Sequence, residues 1–333
     1  MLYISFLILA LSFSSSAVIA QQGPQVFQIP NPQGQQYVLQ DTYQDHGFYD
    51  WLWETNDDPT HGRVNYVDQQ TAIERNLTYA SEGKFVMRAD HTSMVAPGGR
   101  GRDSNRIQSK KAYSNSLFVL DVQHMPTGCG TWPAFWSLSQ AGPWPHGGEI
   151  DIIEGVNQNT KNLASLHTLP NCNMPQSRVQ TGQTISVNCD SAVNFNQGCG
   201  VASTQESSYG PGFNACGGGW YVMERNNVGI KIWFFSRCSP PPPEFQSTSL
   251  PINTGNWSPP DAYFPFGDNC SYLDHFDAHS IVFDLTFCGD WAGSAFPTSG
   301  CGPAQCADFV DQNPGAFTEA YWEINSLRIY LPS

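Results

Sequence analysis

The sequence is organised around Gly147-Gly148-Glu149-Ile150-Asp151-Ile152-Ile153-Glu154-Gly155. Isoleucine and acidic residues alternate through Asp151, which is typical of a β-strand with one acidic and one apolar face. Strict alternation would then bury Glu154 among the isoleucines, and an unpaired buried carboxylate is costly. A β-bulge at Ile152-Ile153 would return Glu154 to the acidic face, because one extra residue resets the pleat. The stretch therefore predicts a bulged strand with Glu149, Asp151 and Glu154 on one face.

Three carboxyl groups on one strand face favour glycosidase chemistry. Retaining glycosidases use two carboxyl groups about 5–5.5 Å apart, one as nucleophile and one as general acid/base. Repulsion between neighbouring carboxylates raises one pKa, so one group stays protonated while the other is ionised. A third carboxyl can orient the nucleophile and share a proton. The same spacing also suits a calcium site or a solvated acidic face, and the spacing alone leaves both open.

The rest of the chain predicts an all-β fold. Short apolar or alternating runs recur between turn residues, and no window predicts a long amphipathic helix. The clearest strand patterns cover residues 84–88, 116–122, 229–235, 280–287 and 326–331. Many short strands separated by Gly and Pro turns favour a β-sandwich.

Charge and hydropathy exclude several classes of partner. The formal net charge is −14, from 29 acidic and 15 basic residues, and no basic patch is available for nucleic acid. The same imbalance fits poorly with an anionic membrane surface or an anionic polymer, whereas a neutral polymer such as glucan is compatible. After the N-terminal region, no apolar run approaches the length of a membrane span.

The N-terminal region predicts secretion. Residues 4–13 are apolar, and small residues precede Gln21 as they would at a cleavage site, so we interpret residues 1–20 as a signal peptide. Residues 21–42, rich in Gln and Pro, are predicted to be a flexible lead-in, and residues 43–333 a single domain. The expected location is extracellular, in the medium or the cell wall.

Ten cysteines behind a signal peptide indicate disulfide bonds. The local loops Cys189–Cys199 and Cys301–Cys306 are possible pairs, although sequence alone fixes none. No cysteine or histidine spacing indicates a metal site. Sequons for N-glycosylation begin at Asn76, Asn256 and Asn269, and a disulfide at Cys270 would hinder the last of these.

The motif EIDIIEGVN at 149–157 resembles the active-site strand of glycoside hydrolase family 16 in its laminarinase-like form. Other phrases resemble fungal endo-1,3(4)-β-glucanases in the same order and extend the resemblance from about residue 43 to the end. They are THGRVNY (60–66), GCGTWPAFW (128–136), LHT (166–168), CGDWAG (288–293) and YWEINSLRIY (321–330).

The resemblance implies a fold and a set of catalytic roles. The fold is a jelly-roll β-sandwich of two curved antiparallel sheets, with the substrate in a concave cleft. Glu149 is the expected nucleophile, Glu154 the general acid/base, and Asp151 the carboxyl between them. The expected activity is that of a retaining endo-β-glucanase on β-1,3 or mixed β-1,3/1,4 glucan, without a cofactor or metal. We expect the protein to act as a monomer.

Binding residues are expected among the aromatic residues, because sugars expose apolar C–H faces ringed by hydroxyl groups. By family position the candidates are Trp136, Trp144 and Trp291, although any one of them could simply be core. His167 resembles a cleft histidine but could also be structural. Arg106 is a candidate for hydrogen bonds to sugar hydroxyls.

Two rival functions remain at this point. A cell-wall transglycosylase would use the same acids and pass the glycosyl unit to another sugar instead of to water. A non-catalytic, lectin-like glucan binder on the same sandwich is the second rival, and the presence of all three acids argues against it. A calcium ion on the convex sheet is possible in the family, but no cluster in the sequence locates one.

Overall fold

The computed structural model of the protein describes residues 35–246 and 250–333. The predicted signal peptide, 1–20, and residues 21–34 lie outside the described residues. Within them the chain forms nineteen β-strands. In chain order these are β1 (Gln36–Tyr43), β2 (Leu52–Trp53), β3 (Val64–Tyr66), β4 (Thr78–Ser81), β5 (Lys84–Arg88), β6 (Arg102–Ser104), β7 (Arg106–Tyr113), β8 (Ser116–His124), β9 (Thr131–Ser139), β10 (Glu149–Glu154), β11 (Leu163–His167), β12 (Gln183–Thr184), β13 (Cys199–Ala202), β14 (Gly219–Asn226), β15 (Gly229–Ser236), β16 (Ile252–Asn253), β17 (Ala262–Pro265), β18 (His279–Phe287) and β19 (Tyr321–Pro332).

The strands form two large antiparallel sheets. The site sheet has the order β12-β13-β11-β10-β9-β18-β7-β2. The back sheet has the order β16-β1-β19-β8-β14-β15-β17, with β5 and β4 extending from β19. A short parallel pair, β3 and β6, lies outside both sheets. This arrangement confirms the predicted all-β jelly-roll sandwich.

Helices are short in the part of the chain that the structure describes, as the sequence predicts. The four α-helices are α1 (Gln69–Glu74), α2 (Gly210–Ala215), α3 (Tyr272–His275) and α4 (Cys306–Gln312). Single turns of other helix types lie at Asp45–Asp50, Asn194–Asn196, Pro243–Gln246, Thr254–Asn256, Gly289–Gly293, Phe296–Thr298 and Pro314–Phe317. None of the helices described is long and apolar enough to cross a membrane.

One apolar cluster fills the space between the two sheets. Phe135 and Ile150 of the site sheet and Phe118 and Tyr221 of the back sheet are all buried in it. Burying each such side chain contributes about 1.5–3 kcal/mol to folding. Because side chains alternate along a strand, the neighbours of these site-sheet residues point away from the back sheet, and this outward face carries the acids.

The strand β1 corrects the predicted start of the folded domain. Residues 36–42 were predicted to belong to the flexible lead-in, which is wrong because β1 pairs with β19 and β16 in the back sheet. Tyr37 is fully buried in an apolar cluster on that sheet, and its hydroxyl donates to Glu224 at 3.0 Å. Tyr37 and Leu39, two residues apart, both join this cluster. Their alternation is a strand signal that the surrounding glutamines obscured.

All ten cysteines form disulfide bonds. The pairs are Cys129–Cys301, Cys172–Cys270, Cys189–Cys199, Cys216–Cys238 and Cys288–Cys306. The prediction for Cys189–Cys199 is confirmed. The predicted Cys301–Cys306 pair is wrong, because Cys301 is bonded to Cys129 and Cys306 to Cys288, at Cα–Cα separations of 5.5 and 5.8 Å.

Candidate active site

The strand β10 contains a β-bulge where the sequence predicts one. Between Asp151 and Ile153, two steps along β10 correspond to one step along β9. Ile152 and Ile153 are both buried in the core, and Glu154 returns to the face of Asp151. The Asn162 side chain accepts from the Glu154 backbone N–H at 3.0 Å and donates to the Ile152 carbonyl at 2.8 Å. It thereby satisfies backbone groups that the bulge removes from the ladder.

Each glutamate on this face accepts a hydrogen bond from a tryptophan indole. Trp132 Nε1 donates to Glu154 Oε1 at 2.9 Å, and Trp144 Nε1 donates to Glu149 Oε2. Trp132 belongs to β9, whereas Trp144 lies in the loop that joins β9 to β10. The two carboxyl groups are therefore oriented separately, one from the sheet and one from the loop.

Asp151 is buried between the two glutamates and binds neighbours on β11. Ser165 Oγ donates to Asp151 Oδ2 at 2.9 Å, and His167 Nε2 lies 3.3 Å from the same oxygen. The other ring nitrogen, His167 Nδ1, donates to Asn196 Oδ1 at 2.8 Å. Because an amide oxygen only accepts hydrogen bonds, Asn196 fixes the ring orientation. His167 therefore lies inside the acid cluster, and its role in binding a sugar stays a prediction.

Burial and mutual repulsion dominate the electrostatics of this cluster. Burial, followed by the charge of Asp151, raises the pKa of Glu149 from 4.5 to about 8. The same two causes raise the pKa of Glu154 well above its usual range. Burial alone would lower the pKa of His167, but its hydrogen bond to Asp151 and the nearby carboxylates raise that pKa to about 10. The cluster therefore combines an imidazolium with carboxyl groups that share protons.

Trp136 lies on the acid-bearing face of the site sheet. It is paired directly with Asp151 across β9 and β10 and belongs to a small apolar cluster separate from the core. The Arg106 guanidinium lies 5.0 Å from the centre of its ring. Arg106 also binds the carboxylates of Glu54 and Asp284, the latter at 3.2 Å. The observed contacts of Arg106 thus support the Trp136 ring, and its direct contact with a sugar stays a prediction.

The other two predicted tryptophans lie near opposite ends of β10. Trp291 packs edge-on against Trp132, with ring centres 5.7 Å apart, and so is linked to Glu154. Trp144 is 45% exposed and is linked to Glu149. The structure therefore brings both rings close to the acids, while their contact with substrate stays a prediction.

A buried histidine fixes the end of the loop that carries Trp144. His279 Nε2 lies 2.7 Å from the carbonyl oxygen of Gly147, and its Nδ1 lies 3.1 Å from Ser137 Oγ. Burial and the charge of Arg225 hold the pKa of His279 well below its usual range, so the ring stays neutral. As a neutral donor, His279 anchors the loop directly before Glu149.

Glu149, Asp151 and His167 also satisfy the geometric requirement for a cation site. One ligand atom from each residue lies within 4.8 Å of the others. In the ranges that the structure describes, this is the one group of three acidic, histidine or cysteine side chains that meets the requirement. A histidine must be neutral to bind a metal, whereas the carboxylates hold His167 protonated. A cation bound there would therefore have to displace the proton that the neighbouring carboxylates favour on the His167 ring.

Sequence reasoning missed four residues that hold the acids. Trp132 precedes Trp136 by four residues and Ser165 precedes His167 by two, so strand alternation places each on the same face as a predicted site residue. That signal could have found both. Asn162 and Asn196 lie in or beside loops, and no sequence pattern indicated that they would bind β10 or His167.

Comparison with known proteins places this geometry in a family. Residues 51–330 match the family model described as XgeA-like, catalytic GH16 domain. The chain is 43% identical over 306 residues to a probable glycosidase of Schizosaccharomyces pombe, covering 90% of this chain and 71% of that protein. It is also 43% identical over 308 residues to a probable endo-1,3(4)-β-glucanase of Aspergillus clavatus, covering 90% of this chain and 47% of that protein. The chain thus spans about half the length of several glucanases that it matches.

Two solved structures share both fold and sequence. Laminarinase 16A of Phanerochaete chrysosporium, with 6-O-glucosyl-laminaritriose in both donor and acceptor sites, is 50% identical with a TM-score of 0.85. The match covers 89% of this chain and 99% of that one. An elongating family 16 β-1,3-glucosyltransferase is 38% identical with a TM-score of 0.82, over 88% of this chain and 99% of that one.

Proposed function

Because the chain belongs to glycoside hydrolase family 16, we propose that it is an endo-1,3(4)-β-glucanase that cleaves β-1,3 and mixed β-1,3/1,4 glucans with retention of configuration. The observation that carries this proposal is the bulge in β10. It puts Glu149 and Glu154 on one outward face, with Asp151 between them and an indole on each glutamate. Two carboxyl groups in this relation are what a retaining glycosidase requires.

In the first step, Glu149 attacks the anomeric carbon while Glu154 gives its proton to the departing glycosidic oxygen. A covalent glycosyl-enzyme forms as the glycosidic C–O bond breaks. The raised pKa of Glu154 supports its role, because the acid must hold a proton before this step. Burial and the charge of Asp151 raise the pKa of Glu149 to about 8, and the His167 charge and the Trp144 indole act in the opposite direction, toward the ionised form that a nucleophile needs.

In the second step, Glu154 removes a proton from a water molecule, whose oxygen attacks the anomeric carbon and releases Glu149. Asp151 is held by Ser165 and His167 and lies between the two acting groups. The charge of Asp151 is thus available to raise the proton affinity of whichever glutamate is protonated at that stage. This supports a role in proton sharing without direct contact with the sugar.

The tryptophan side of β10 is suited to bind the sugar that becomes covalently attached. Trp132, Trp136 and Trp291 lie on this side, toward β9 and the Gly289–Gly293 turn. Flat rings with a polar edge match a pyranose ring, which has apolar faces and a polar rim. We refer to this side of the cleft as the donor side.

Secretion is part of the proposal. Five disulfide bonds are the chemistry of an oxidising compartment, and they support an extracellular or cell-wall location. The chain would act as a monomer, since its proposed site is built from one copy.

Transglycosylation is the second candidate function. The structurally similar glucosyltransferase is 38% identical to this chain, and the two reactions differ only in whether water or a sugar hydroxyl attacks the glycosyl-enzyme. The acid cluster is compatible with either acceptor.

Proton NMR of the purified protein with laminarin tests the proposal, with anomeric signals followed from the first minutes. We expect new β-anomeric reducing ends that later mutarotate, as retaining endo-hydrolysis requires. Redistributed chain lengths without a net gain of reducing ends would favour the transglycosylase. Glucan binding without cleavage of laminarin or mixed-linkage glucan would overturn the proposal in favour of a lectin-like binder.

A further inference from the structure

Phe195 is exposed in a way that neither packing nor backbone geometry explains. Its relative exposure is 107%, the highest among the large apolar side chains of the residues that the structure describes. Its φ of 57° lies in the left-handed region, between Asn194 at 51° and Asn196 at 59°. Asparagine tolerates this region, whereas a bulky residue there is an outlier that costs folding free energy. Both unfavourable features point to a function for the ring.

The turn that carries Phe195 is attached directly to the acid cluster. The neighbouring residue Asn196 accepts the hydrogen bond from His167 Nδ1 at 2.8 Å. Close packing continues at Gly198, where a Cβ atom would lie 2.8 Å from the His167 ring. The Cys189–Cys199 disulfide closes the loop. The turn that carries Phe195 is thus attached to the acid cluster through Asn196.

This loop lies on the opposite side of β10 from Trp132, Trp136 and Trp291. The order β13-β11-β10-β9-β18 puts His167 on one side of the acids and Trp136 on the other. A glucan bound across β10 must therefore extend over both sides. The donor side has to hold its sugar through the covalent intermediate, and the several indoles suit that task. The other side must release its product, and a single exposed ring among polar residues suits weaker, reversible binding.

We propose that Phe195 is an acceptor-side platform, which stacks on a glucose ring of the β-glucan segment that leaves after cleavage or enters as acceptor. The inference rests on the proposed function and adds a binding subsite to it. In transfer, the acceptor hydroxyl oxygen bonds to the anomeric carbon, the bond to Glu149 breaks, and Glu154 takes the hydroxyl proton. By binding an acceptor sugar, Phe195 increases the fraction of glycosyl-enzyme that reacts by transfer.

The test compares Phe195→Ala, Phe195→Trp and wild type on two substrates. Laminariheptaose occupies both sides of the cleft, whereas an aryl β-laminaribioside has no sugar on the acceptor side. For Phe195→Ala we expect kcat/KM on laminariheptaose to fall about 3- to 10-fold, because one aromatic contact is lost. We expect kcat/KM on the aryl substrate to stay unchanged. The ratio of transfer to hydrolysis products, read by mass spectrometry at high oligosaccharide concentration, falls in parallel. Phe195→Trp retains both values.

Val228→Ala is the matched control, because Val228 is also exposed, at 60%, but lies in the β14–β15 turn of the back sheet. We expect Val228→Ala to leave kcat/KM unchanged on both substrates. The pH profile on the aryl substrate reports whether His167 is still held, and it stays unchanged in Phe195→Ala. Equal losses on both substrates, or no loss on laminariheptaose, would overturn the acceptor-side proposal. A wild type inactive on every glucan and on the aryl substrate would instead overturn the proposed function itself.

Discussion

His167 Nε2 lies 3.3 Å from Asp151 Oδ2. This contact places one positive charge inside a row of three carboxyl groups that share the outward face of β10. The imidazolium offsets part of the repulsion that burial intensifies, and it lowers the proton affinity of both Glu149 and Glu154. His167 is therefore positioned to set the pH range in which the two glutamates hold different protonation states.

Glu149→Ser should abolish turnover of laminarin while leaving folding and glucan binding intact. Loss of a nucleophile typically reduces kcat by 10³-fold or more. Initial rates of reducing-sugar release, with oligosaccharide binding by calorimetry, check both parts. Glu74→Ser, at an exposed position of α1, is the control and should retain full activity. Substantial turnover by Glu149→Ser would rule out its role as nucleophile.

Glu154→Ala should lose activity on glucan but retain part of its activity on an aryl laminarioside with a good leaving group. An activated leaving group departs without protonation, so formation of the glycosyl-enzyme no longer needs the acid. The two rates, measured on one preparation whose folding is checked by circular dichroism, give the answer. Equal loss on both substrates in a folded variant would contradict the acid/base assignment.

His167→Gln should shift the pH profile of kcat/KM to higher pH on both limbs. Removing the imidazolium removes an interaction that lowers the pKa values of Glu149 and Glu154, so both rise. The acidic limb, where the nucleophile becomes protonated, and the basic limb, where the acid loses its proton, then move in the same direction. Profiles on an aryl laminarioside measure this. His46→Gln, an exposed histidine outside the site, should leave the profile unchanged; a shift to lower pH in His167→Gln would contradict the argument.

The raised pKa of Glu149 also predicts how the active site affects stability. Because the pKa of Glu149 is raised from 4.5 to about 8 in the folded state, the folded state binds this proton more tightly than the unfolded state. The resulting contribution to the free energy of unfolding is fully present below pH 4.5 and is lost as the pH rises through 8. Glu149→Ser has no carboxyl at this position and so does not lose stability in this way. The variant should therefore unfold at a higher temperature than wild type at pH 8, with a smaller difference at pH 4. Scanning calorimetry at both pH values checks the sign, and a larger advantage at pH 4 would contradict it.

Gly155→Ala should destabilise the fold beside the bulge. A Cβ at Gly155 would lie 2.6 Å from the ring of Tyr209, a buried residue that cannot move freely. Overpacking of this kind costs about 1–3 kcal/mol. Gly47→Ala is the matched control, because its Cβ meets no atom within 4 Å. Urea unfolding of both variants measures the difference, and equal stability would show that Tyr209 can shift without cost.

The fold class and the bulge followed from the sequence because both depend on local patterns. Strand alternation is visible over a few residues. The cost of burying Glu154 beside Ile152 favours a bulge that accommodates the extra isoleucine and returns Glu154 to the outward face. The proposed catalytic roles of the acids came from family resemblance together with that pattern. Local reasoning was enough wherever adjacent residues determine which face a side chain occupies.

Other features depend on contacts between distant parts of the chain. Cys301 bonds to Cys129 across 172 residues, and no spacing rule distinguishes that partner from the nearby Cys306. Arg106 looked free to bind a sugar because Glu54 and Asp284, which it contacts, are remote in sequence. Asn196 likewise gave no sign that it would reach His167. The supports of the site, more than its acids, required the three-dimensional structure.

The bulge in β10 also has a genetic consequence. Loss of a single codon at Ile152 or Ile153 would remove the extra residue and restore regular alternation, which keeps Glu149, Asp151 and Glu154 on the same outward face. Insertion of one further residue between Asp151 and Glu154 would need a second extra residue in the bulge, or would turn Glu154 toward the space between the sheets. Descendants of this chain should therefore tolerate loss of the extra isoleucine more readily than a further insertion beside it.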